Sequence, residues 1–446
     1  MTSTKPPSGT RDFLPEDVRR REHVMGVVRD VYERYGYAPL ETPAFENLET
    51  LVGKYGEEGN KLIFKILKRG EHETSGEADL ALRYDLTVPL ARVVAQHQNE
   101  LPRFFKRYQM QPVWRADRPA KGRFREFYQC DIDAIGSPSP LVEVEQIAAV
   151  AEVLARLGFA DFLVRVNHRL ILSGLLNASG VPDGLHADAL IALDKLDKIG
   201  ADGVARQLES RGINATTAKA CLDSFHVPPA ETSQQTLARL RHALGQTDAA
   251  VANLEGIVSL LSHTGAAGRV RIDLSLARGL SYYTGAIMEV TVPDLPGSLG
   301  GGGRYDNLIG MFLGRNVPAC GFSLGLERII VVMTERQMFP AAVAGGAVDI
   351  MVTIWEELAL RAAAIELADS LRKGGLRVEV YPEPDKLGRQ FKYAADRGTP
   401  FVAVQGGNEV AARTVTIKDL RTGEQAAVTR DEAPAYVSAR LRAVKP

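Results

Sequence analysis

The stretch FFKRYQMQPVWRADRPAKGRFREFYQCDID, residues 104–133, decides how the chain folds around it. Aromatic and β-branched residues recur in rough alternation over residues 108–114 and 124–133, and residues 118–122 between them contain Pro and Gly. This pattern predicts two strands joined by a turn, which is a β-hairpin. Alternate side chains of a strand share one face. On the second strand that face carries Arg123, Arg125, Phe127, Gln129, Asp131 and Asp133.

Basic residues are concentrated in this hairpin. Residues 103–125 contain eight Lys or Arg and one acid, Asp117, whereas the whole chain of 446 residues has a net charge of −1. Such a concentration predicts a polyanionic ligand. A row of guanidinium, ring, amide and carboxylate groups suits a ligand with phosphates, a flat base and an amino group. The alternative is an exposed edge hairpin whose charges prevent pairing with another sheet.

The run WRADRPAKGRFREF, residues 114–127, resembles motif 2 of class II aminoacyl-tRNA synthetases. In that motif an aromatic residue and Arg-x-acid precede a loop and Arg-x-x-x-Phe. The resemblance implies that Arg115 holds the α-phosphate of ATP and that Asp117 and the loop contact adenine. It also places Phe127 against the adenine ring and Arg123 in the same ATP site. The family more often has Glu where Asp117 stands. The side chain of Asp is shorter, so it reaches less far toward adenine.

Length and composition limit the classes of protein. A chain of 446 residues predicts two or three domains, and 45% hydrophobic with 24% charged residues predicts sizeable cores in a soluble protein. No apolar run approaches the roughly 20 residues of a membrane span, and the N-terminus lacks the apolar core of a signal peptide. Cys130, Cys221 and Cys320 lie far apart without a CxxC motif. That spacing favours reduced thiols over a structural zinc site, so we expect a cytoplasmic protein without a protein-held metal.

The N-terminal part predicts a helix followed by an extended segment. Apolar residues at helical spacing indicate an amphipathic helix over residues 14–35, which Gly36 ends. The segment GYAPLETPAFENL, residues 36–48, contains two prolines and predicts an extended chain. It resembles motif 1, which builds the dimer interface of class II synthetases, so the resemblance implies a homodimer. Taken locally, the segment is only a proline-containing strand.

The segment DLALRYDLTVPLAR, residues 79–92, predicts a strand that leads into a helix. Asp85 and Thr87 would share one face of an extended chain, while either residue before Val-Pro-Leu would also be a good helix N-cap. Both interpretations can hold. The run LRYDLTVP closely resembles the segment with which histidyl-tRNA synthetases hold the α-amino group of histidine. This resemblance assigns Asp85, Thr87 and Gln129 to that group.

Strand patterning resumes in RVRIDLSLARGLSYYTGAIMEV, residues 269–290, and a glycine within it predicts a bulge or a nearby ligand. Tyr282 and Tyr283 would place one ring on each face of a strand. Locally, both rings could be core and Arg278 an edge charge. The run nearly repeats the histidine-specific signature RGLDYYTG, with Ser281 where Asp is usual. The resemblance assigns Arg278 to the α-phosphate and the two tyrosines to histidine.

Two further segments resemble motifs of the same enzymes. LGGGGRYD, residues 299–306, lacks the features of a P-loop or a dinucleotide fold. It suits a backbone that passes close to a ligand, and GGRYDNL resembles the second histidine-specific signature. GFSLGLERII, residues 321–330, resembles motif 3, whose Arg328 would bind the γ-phosphate. By the same family match, Asp133 and Tyr283 would face the imidazole of histidine.

The remaining regions complete an α+β architecture. Residues 170–263 are almost wholly helical in pattern, and ALDKLDKIG resembles the insertion of histidyl-tRNA synthetases that leans on the tRNA acceptor end. Alternating strand and helix patterns after residue 346 predict a small α/β domain with a mainly parallel sheet, which resembles their anticodon-binding domain. We therefore expect a class II core with an antiparallel sheet in residues 1–169 and 264–337. A helical insertion would span 170–263, a linker 338–346 and an anticodon-binding domain 347–446.

The resemblance covers nearly the whole chain. It implies ATP-dependent ligation of L-histidine to tRNA(His) through a histidyl adenylate, with Mg²⁺ bridging the phosphates and AMP and diphosphate released. One alternative is a catalytically silent relative, such as the synthetase-like regulatory subunit of ATP phosphoribosyltransferase, which lacks the C-terminal domain and key arginines that are found here. Another is an RNA-binding protein without chemistry, which leaves Asp85, Asp133 and Tyr283 unexplained.

Overall fold

The computed structural model of the protein describes residues 3–70, 75–245, 248–277, 282–340, 343 and 346–442, with the backbone alone at 56–58 and 197–198. These residues form two compact units, of which the first ends at Met338 and the second begins at Phe339. Within the described residues, no helix has the length and apolar character needed to cross a membrane.

Two sheets organise the first unit. Its strands are Ala38–Pro39 (β1), Phe45–Asn47 (β2), Lys65–Leu67 (β3), Ala78–Leu82 (β4), Phe105–Trp114 (β5), Glu126–Ile135 (β6), Leu163–His168 (β7), Val270–Ile272 (β8), Ala286–Thr291 (β9), Gly300–Arg304 (β10) and Ala319–Gly325 (β11). The large sheet has the order β1-β5-β6-β11-β10-β9-β7-β8, and β2-β4-β3 form a small antiparallel sheet. Among the described strands of the large sheet, only the outermost pairings are parallel. The antiparallel-rich α+β core predicted from the sequence is confirmed.

Strands β5 and β6 form the predicted hairpin, in which Arg107 lies opposite Asp133. The second strand begins at Glu126, two residues later than predicted. Arg123 and Arg125 both precede the strand, and Arg125 does not line the cavity that Arg123, Phe127 and Gln129 share. The predicted place of Arg125 in the row on one face is therefore wrong. Arg125 instead donates from Nε to the backbone oxygen of Asp117 in the hairpin loop at 3.0 Å and from Nη1 to that of Ser8 in the N-terminal segment at 3.4 Å.

Helices cover the large sheet. Those of the first unit are Pro15–Arg34 (α1), Leu48–Leu51 (α2), Gly56–Lys61 (α3), Thr87–Gln96 (α4), Leu141–Arg156 (α5), Arg169–Ala178 (α6), His186–Leu193 (α7), Leu196–Ser210 (α8), Ala215–Phe225 (α9), Ser233–Leu244 (α10), Ala249–Leu261 (α11), Gly310–Leu313 (α12) and Leu326–Glu335 (α13). α1, α5 and α13 pack on β6 and β11. The predicted amphipathic helix is α1, which buries Val24, Val28, Val31 and Tyr32 at helical spacing. Tyr32 donates its hydroxyl hydrogen to the backbone oxygen of Cys130 at 3.2 Å.

The region 170–263 is helical as predicted, with α6 to α11 and a short 3-10 helix at Asp183–Leu185. Polar side chains define several helix starts: Asn214 caps α9, Thr232 forms a capping box on α10, and Asp248 caps α11. α11 packs against α5 and β7 of the sheet layer. The described part of this region belongs to the first compact unit, so its independence as an inserted domain stays a prediction.

The segment predicted as extended over residues 36–48 forms only the short strands β1 and β2, and α2 begins at Leu48. Pro39 and Pro43 lack backbone N–H donors, which limits strand pairing there. The strand and helix predicted over residues 79–92 are β4 and α4.

The second unit contains a five-stranded sheet with flanking helices. Its strands are Ile350–Val352 (β12), Val378–Val380 (β13), Phe401–Val404 (β14), Thr414–Asp419 (β15) and Gln425–Thr429 (β16), and its helices are Leu358–Lys373 (α14), Leu387–Asp396 (α15), Gly407–Ala412 (α16) and Ala433–Arg442 (α17). In the order β13-β12-β14-β15-β16 the first two pairings are parallel and the last two antiparallel. The prediction of a mainly parallel sheet is therefore wrong. β15 and β16 are joined by a tight turn, which permits only antiparallel pairing.

Arg83, between β4 and α4, ties three segments of the first unit together. Its guanidinium is buried and donates to the backbone oxygens of Thr42, Pro43 and Pro112 and to Gln111 Oε1, at 2.7 to 3.0 Å. The residues after β1, the hairpin strand β5 and the entrance to α4 are thus held at one point.

Replacing Arg83 with Met should reduce the free energy of unfolding by roughly 2–4 kcal/mol, because the buried carbonyl group of Thr42 and the partly buried ones of Pro43 and Pro112 would lose their donor. The control is Arg34→Met, since Arg34 forms an exposed i,i+4 ion pair with Asp30 and should change stability by no more than about 0.5 kcal/mol. Denaturant unfolding followed by circular dichroism measures both. Equal stability of the two variants would contradict this role of Arg83.

Candidate functional site

A cavity of about 380 Å³ lies on the face of the large sheet opposite Tyr32. Its walls come from β6, β10, β11, the loop of the hairpin and the first turns of α4 and α13. Predicted site residues that line it are Asp85, Thr87, Arg115, Asp117, Arg123, Phe127, Gln129, Asp133, Tyr282, Tyr283 and Arg328. Arg278 and Ser281 lie outside the described residues. One concave site therefore collects side chains from segments spread over more than half of the chain.

Small residues on β11 make room for polar side chains on β6. Asp133 lies opposite Gly321, and Asp131 lies opposite Ser323. A Cβ atom on Gly321 would overlap Oδ1 of Asp133. The position of this carboxylate thus depends on a glycine in the neighbouring strand.

Asp133 is held by a buried ion pair. Its Oδ2 lies 2.8 Å from Nη2 of Arg107, and its Oδ1 accepts a hydrogen bond from the Tyr305 hydroxyl. Arg107 is fully buried, and its Nη2 also donates to the backbone oxygen of Leu86 at 3.2 Å. Burial raises the pKa of Asp133, while Arg107 and Tyr305 oppose the rise. Burial likewise raises the pKa of the adjacent Asp131, against the attraction of Arg107.

Asp85 forms a second buried acidic centre. Oδ1 accepts from the Tyr55 hydroxyl at 2.9 Å and from the backbone N–H of Val88 at 3.1 Å, and Oδ2 accepts from the Tyr282 hydroxyl at 3.1 Å. Burial raises its pKa, and these donors and Arg115 oppose the rise. The capping interpretation of Asp85 is confirmed, because its carboxylate accepts from the first turn of α4. The expectation of an extended chain across Asp85 and Thr87 is wrong, because Leu86 is in the helical region and Thr87 already begins α4. Asp85 lines the cavity, and its role toward a ligand stays a prediction.

Arginines and aromatic rings surround the other part of the cavity. The Arg115 guanidinium lies 4.3 Å from the centre of the Tyr84 ring and 5.1 Å from that of Phe127, and its Nε donates to the backbone oxygen of Tyr84. Arg123 forms an ion pair with Asp117 at 3.5 Å. Arg328 lies in the first turn of α13, at the predicted strand-to-helix junction. This part of the cavity suits an anion with a flat ring system.

Gln129 connects the acidic and basic groups. Its Nε2 donates to Ser323 Oγ at 2.7 Å, and its Oε1 accepts from Nη2 of Arg115 at 3.3 Å. Thr87 contributes from the first residue of α4.

The tyrosine pair differs from the prediction. Tyr282 and Tyr283 precede β9, and both line the cavity, with ring centres 5.2 Å apart and planes at 83°. The expectation of one ring on each face of a strand is wrong, because the chain is not a strand at these residues. The glycine-rich segment is the inner strand β10, and its Gly300 and Gly301 line the cavity as expected for a backbone close to a ligand.

Several residues of the site were not assigned from the sequence: Tyr55, Arg107, Tyr305, Ser323 and Glu327. Period-two alternation placed Asp131 on the face of Gln129 and Asp133, where the structure has it, but no individual role was assigned to it from the sequence. Arg107 was counted among the basic residues that face a polyanion, which is wrong because its place opposite Asp133 buries it. Lys106 and Lys121, which were counted in the same group, form ion pairs with Glu145 and Glu335.

The family models and the similar proteins found by comparison all point to a single protein family. The histidyl-tRNA synthetase family model matches residues 9–329, and the anticodon binding domain model matches residues 347–440. The chain belongs to the histidyl-tRNA synthetase family. It is 42% identical to the histidine–tRNA ligase of Gloeobacter violaceus, covering 97% of this chain and 98% of that protein. It is 43% identical to that of Porphyromonas gingivalis, with 96% and 97% covered.

Solved structures agree with this family. The histidyl-tRNA synthetase of Nostoc sp. PCC 7120 superposes with a TM-score of 0.84 at 32% identity and covers 99% of this chain and 100% of its own. A Bacillus halodurans protein described as an ATP phosphoribosyltransferase regulatory subunit/histidyl-tRNA synthetase superposes with a TM-score of 0.73 at 23% identity, over 91% of this chain and 100% of its own. That second likeness shows a shared fold only.

Gly321→Ala should displace the Asp133 carboxylate and leave Arg107 buried without its partner. We expect a loss of roughly 2–4 kcal/mol in the free energy of unfolding. In the control Gly256→Ala, the new methyl group meets open space within helix α11, so stability should be unchanged or slightly higher. Denaturant unfolding compares the two variants, and a Gly321→Ala protein as stable as the control would contradict the packing argument.

Proposed function

We propose that the chain joins L-histidine to tRNA(His) in two steps. Histidine and ATP first form histidyl adenylate with release of diphosphate, and the histidyl group then passes to tRNA with release of AMP. The observation that carries this proposal is the division of one cavity into a part with buried carboxylates and a part with arginines and rings. Membership of the histidyl-tRNA synthetase family supports the same reaction.

The acidic part suits the cationic side of the amino acid. Asp85, Asp131 and Asp133 are buried there with Arg107 as their fully buried cation. An ammonium group and an imidazole N–H would reduce the excess of negative charge, which is why such a ligand is favoured. We assign the α-amino group to Asp85, with Thr87 and Gln129 beside it. The imidazole is assigned to Asp133 and Tyr283, and Tyr282, whose hydroxyl donates to Asp85, is assigned to the same amino acid.

The basic part suits ATP. We assign the α-phosphate to Arg115, the γ-phosphate to Arg328, and adenine to Phe127, Asp117 and Arg123. Mg²⁺ belongs to the ATP substrate and is held chiefly by its phosphates. Among the described residues, no group of three or more His, Cys, Asp or Glu side chains is arranged to hold a metal ion.

In the first step a carboxylate oxygen of histidine forms a bond to the α-phosphorus, and the bond from that phosphorus to the bridging oxygen of diphosphate breaks. The histidine carboxylate is already ionised, so no general base is required. Arginines in place before the reaction stabilise the charge that develops on the α-phosphate. Arg278 is proposed for the same role on the resemblance of its segment alone. In the second step the terminal ribose hydroxyl of tRNA attacks the carbonyl carbon, the bond from that carbon to the phosphate oxygen breaks, and AMP leaves together with the hydroxyl proton.

We also propose a homodimer that uses the region around β2. Phe45 on β2 and Leu67 on β3 are exposed by 52% and 55%, and these belong to the same small sheet. Exposed apolar side chains on one sheet suit a protein–protein interface. A cytoplasmic location is proposed because Cys130, Cys221 and Cys320 are buried free thiols.

Two alternatives lose support from particular observations. A silent regulatory relative would not need phosphate-binding arginines, yet Arg115, Arg123 and Arg328 line the cavity. An RNA-binding protein without chemistry would gain nothing from burying Asp85, Asp131 and Asp133 in the wall of one cavity. Burial of acids costs free energy and is expected where a specific ligand repays it.

Amino-acid-dependent exchange of pyrophosphate into ATP tests the first step. Among all twenty amino acids, we expect exchange with histidine alone. Asp133→Asn should raise the histidine KM by roughly 10²-fold, because the buried partner of the imidazole N–H would lose its charge. The control Asp161→Asn alters an exposed acid paired with Arg336 and should leave that KM unchanged. Exchange with no amino acid would refute the enzyme proposal, and an unchanged KM in Asp133→Asn would refute the assignment.

Truncation after Met338 tests the role of the second unit. Every assigned site residue precedes this point, so histidine-dependent exchange should persist. Charging of tRNA should fall by roughly 10²-fold or more, because tRNA held at two sites gains effective concentration that one site cannot provide. Steady-state charging and exchange are measured on the truncated and full chains. Parallel loss of both activities would assign residues 339–446 a structural role instead.

A further inference from the structure

The N-terminal segment, residues 7–13, has no regular secondary structure but is bonded to the hairpin. The backbone oxygen of Gly9 accepts from the N–H groups of Arg125 at 2.8 Å and Glu126 at 3.4 Å. Gly9 has φ +86°, and a Cβ there would lie 2.6 Å from Cγ of Arg125. A left-handed backbone without a side chain is therefore needed for this contact. The segment is docked where the hairpin loop ends and β6 begins.

Arg11 in this segment lies behind the cavity wall. Its Cζ is 3.5 Å from the centre of the Phe124 ring, and its Nη2 is 3.9 Å from Oε1 of Glu327. Phe124 and Glu327 both line the large cavity beside Arg328, whereas Arg11 lines a smaller cavity of about 100 Å³ on the far side of Glu327. Arg11 thus touches two wall residues without reaching the space between them.

Glu327 is a carboxylate placed where a polyanion is expected. Its Oε1 lies 2.7 Å from Nη1 of Arg21, and its Oε2 accepts from the N–H of Tyr128 at 2.9 Å. The side chain is 4% exposed, so its charge would repel triphosphate strongly without cations nearby. Arg21 and Arg11 together offset that charge from the side away from the cavity.

We propose that Arg11 is a positioning residue for the nucleotide. Its guanidinium fixes the Phe124 ring by stacking and helps to neutralise Glu327, so the wall beside Arg328 is both rigid and acceptable to phosphate. The inference rests on the proposed function only in naming ATP as the ligand. Residues 7–13 are then part of the nucleotide site, although they lie outside its lining.

Kinetics of pyrophosphate exchange in Arg11→Ala test this role. The ATP KM should rise about tenfold, since stacking and charge offset are both lost, while the histidine KM should stay within about twofold of its original value. Arg11→Lys keeps the charge without the planar group, so its ATP KM should lie between those of the original chain and Arg11→Ala. The control Arg34→Ala removes the exposed ion pair with Asp30 on α1 and should change neither KM.

Calorimetric titration with Mg·ATP alone repeats the comparison without turnover. An Arg11→Ala protein with an unchanged ATP Kd, or an equal rise of both KM values, would overturn the positioning role. If Arg11→Ala does not fold, Arg11→Lys decides, and an unaltered ATP Kd in that variant overturns the inference. Absence of histidine-dependent exchange in the original chain would refute the proposed function, while the ATP titrations would still decide the role of Arg11.

Discussion

Burying the carboxylate of Asp133 is unfavourable unless a cation and hydrogen-bond donors accompany it, and Arg107 and Tyr305 supply both. This ion pair requires one register of the hairpin, because a shift by one residue would turn Arg107 to the opposite face. It also requires Gly321 on the neighbouring strand. Three separate parts of the chain must therefore be aligned before the acidic part of the cavity can exist.

The two faces of the large sheet serve different purposes. Tyr108, Cys130 and Ile132 point toward helices and form a dry core. On β6, Gln129, Asp131 and Asp133 alternate with Cys130 and Ile132 and carry amide and carboxylate groups into the cavity. Because neighbouring residues of a strand point to opposite faces of the sheet, a residue of the core and a residue of the cavity can be adjacent in sequence. Family membership explains what the chemistry is, and the contacts explain how the residues are held.

Local pattern predicted the elements that depend on near neighbours. The hairpin and α1 follow from periodicity, and most of the site residues followed from motifs within short segments. The sequence could not reveal that Arg107 is buried, because its partner Asp133 is fixed by strand register and by β11 far along the chain. The orientation of Tyr282 and Tyr283 likewise depends on where β9 begins. The predictions were wrong at residues whose position depends on contacts between distant parts of the chain.

The order of strands in the large sheet has a consequence for synthesis on the ribosome. The hairpin is complete at Ile135, but β11, which covers the free edge of β6, begins at Ala319, about 180 residues later. At typical elongation rates of roughly 5–20 residues per second, that edge stays unpaired for roughly 10–40 s. An open edge can pair with other nascent chains. Synthesis of the helical region in this interval therefore delays the pairing of β11 with β6. Chaperones that shield strand edges during translation should raise the yield of folded protein more for this fold than for folds whose neighbouring strands are close in sequence.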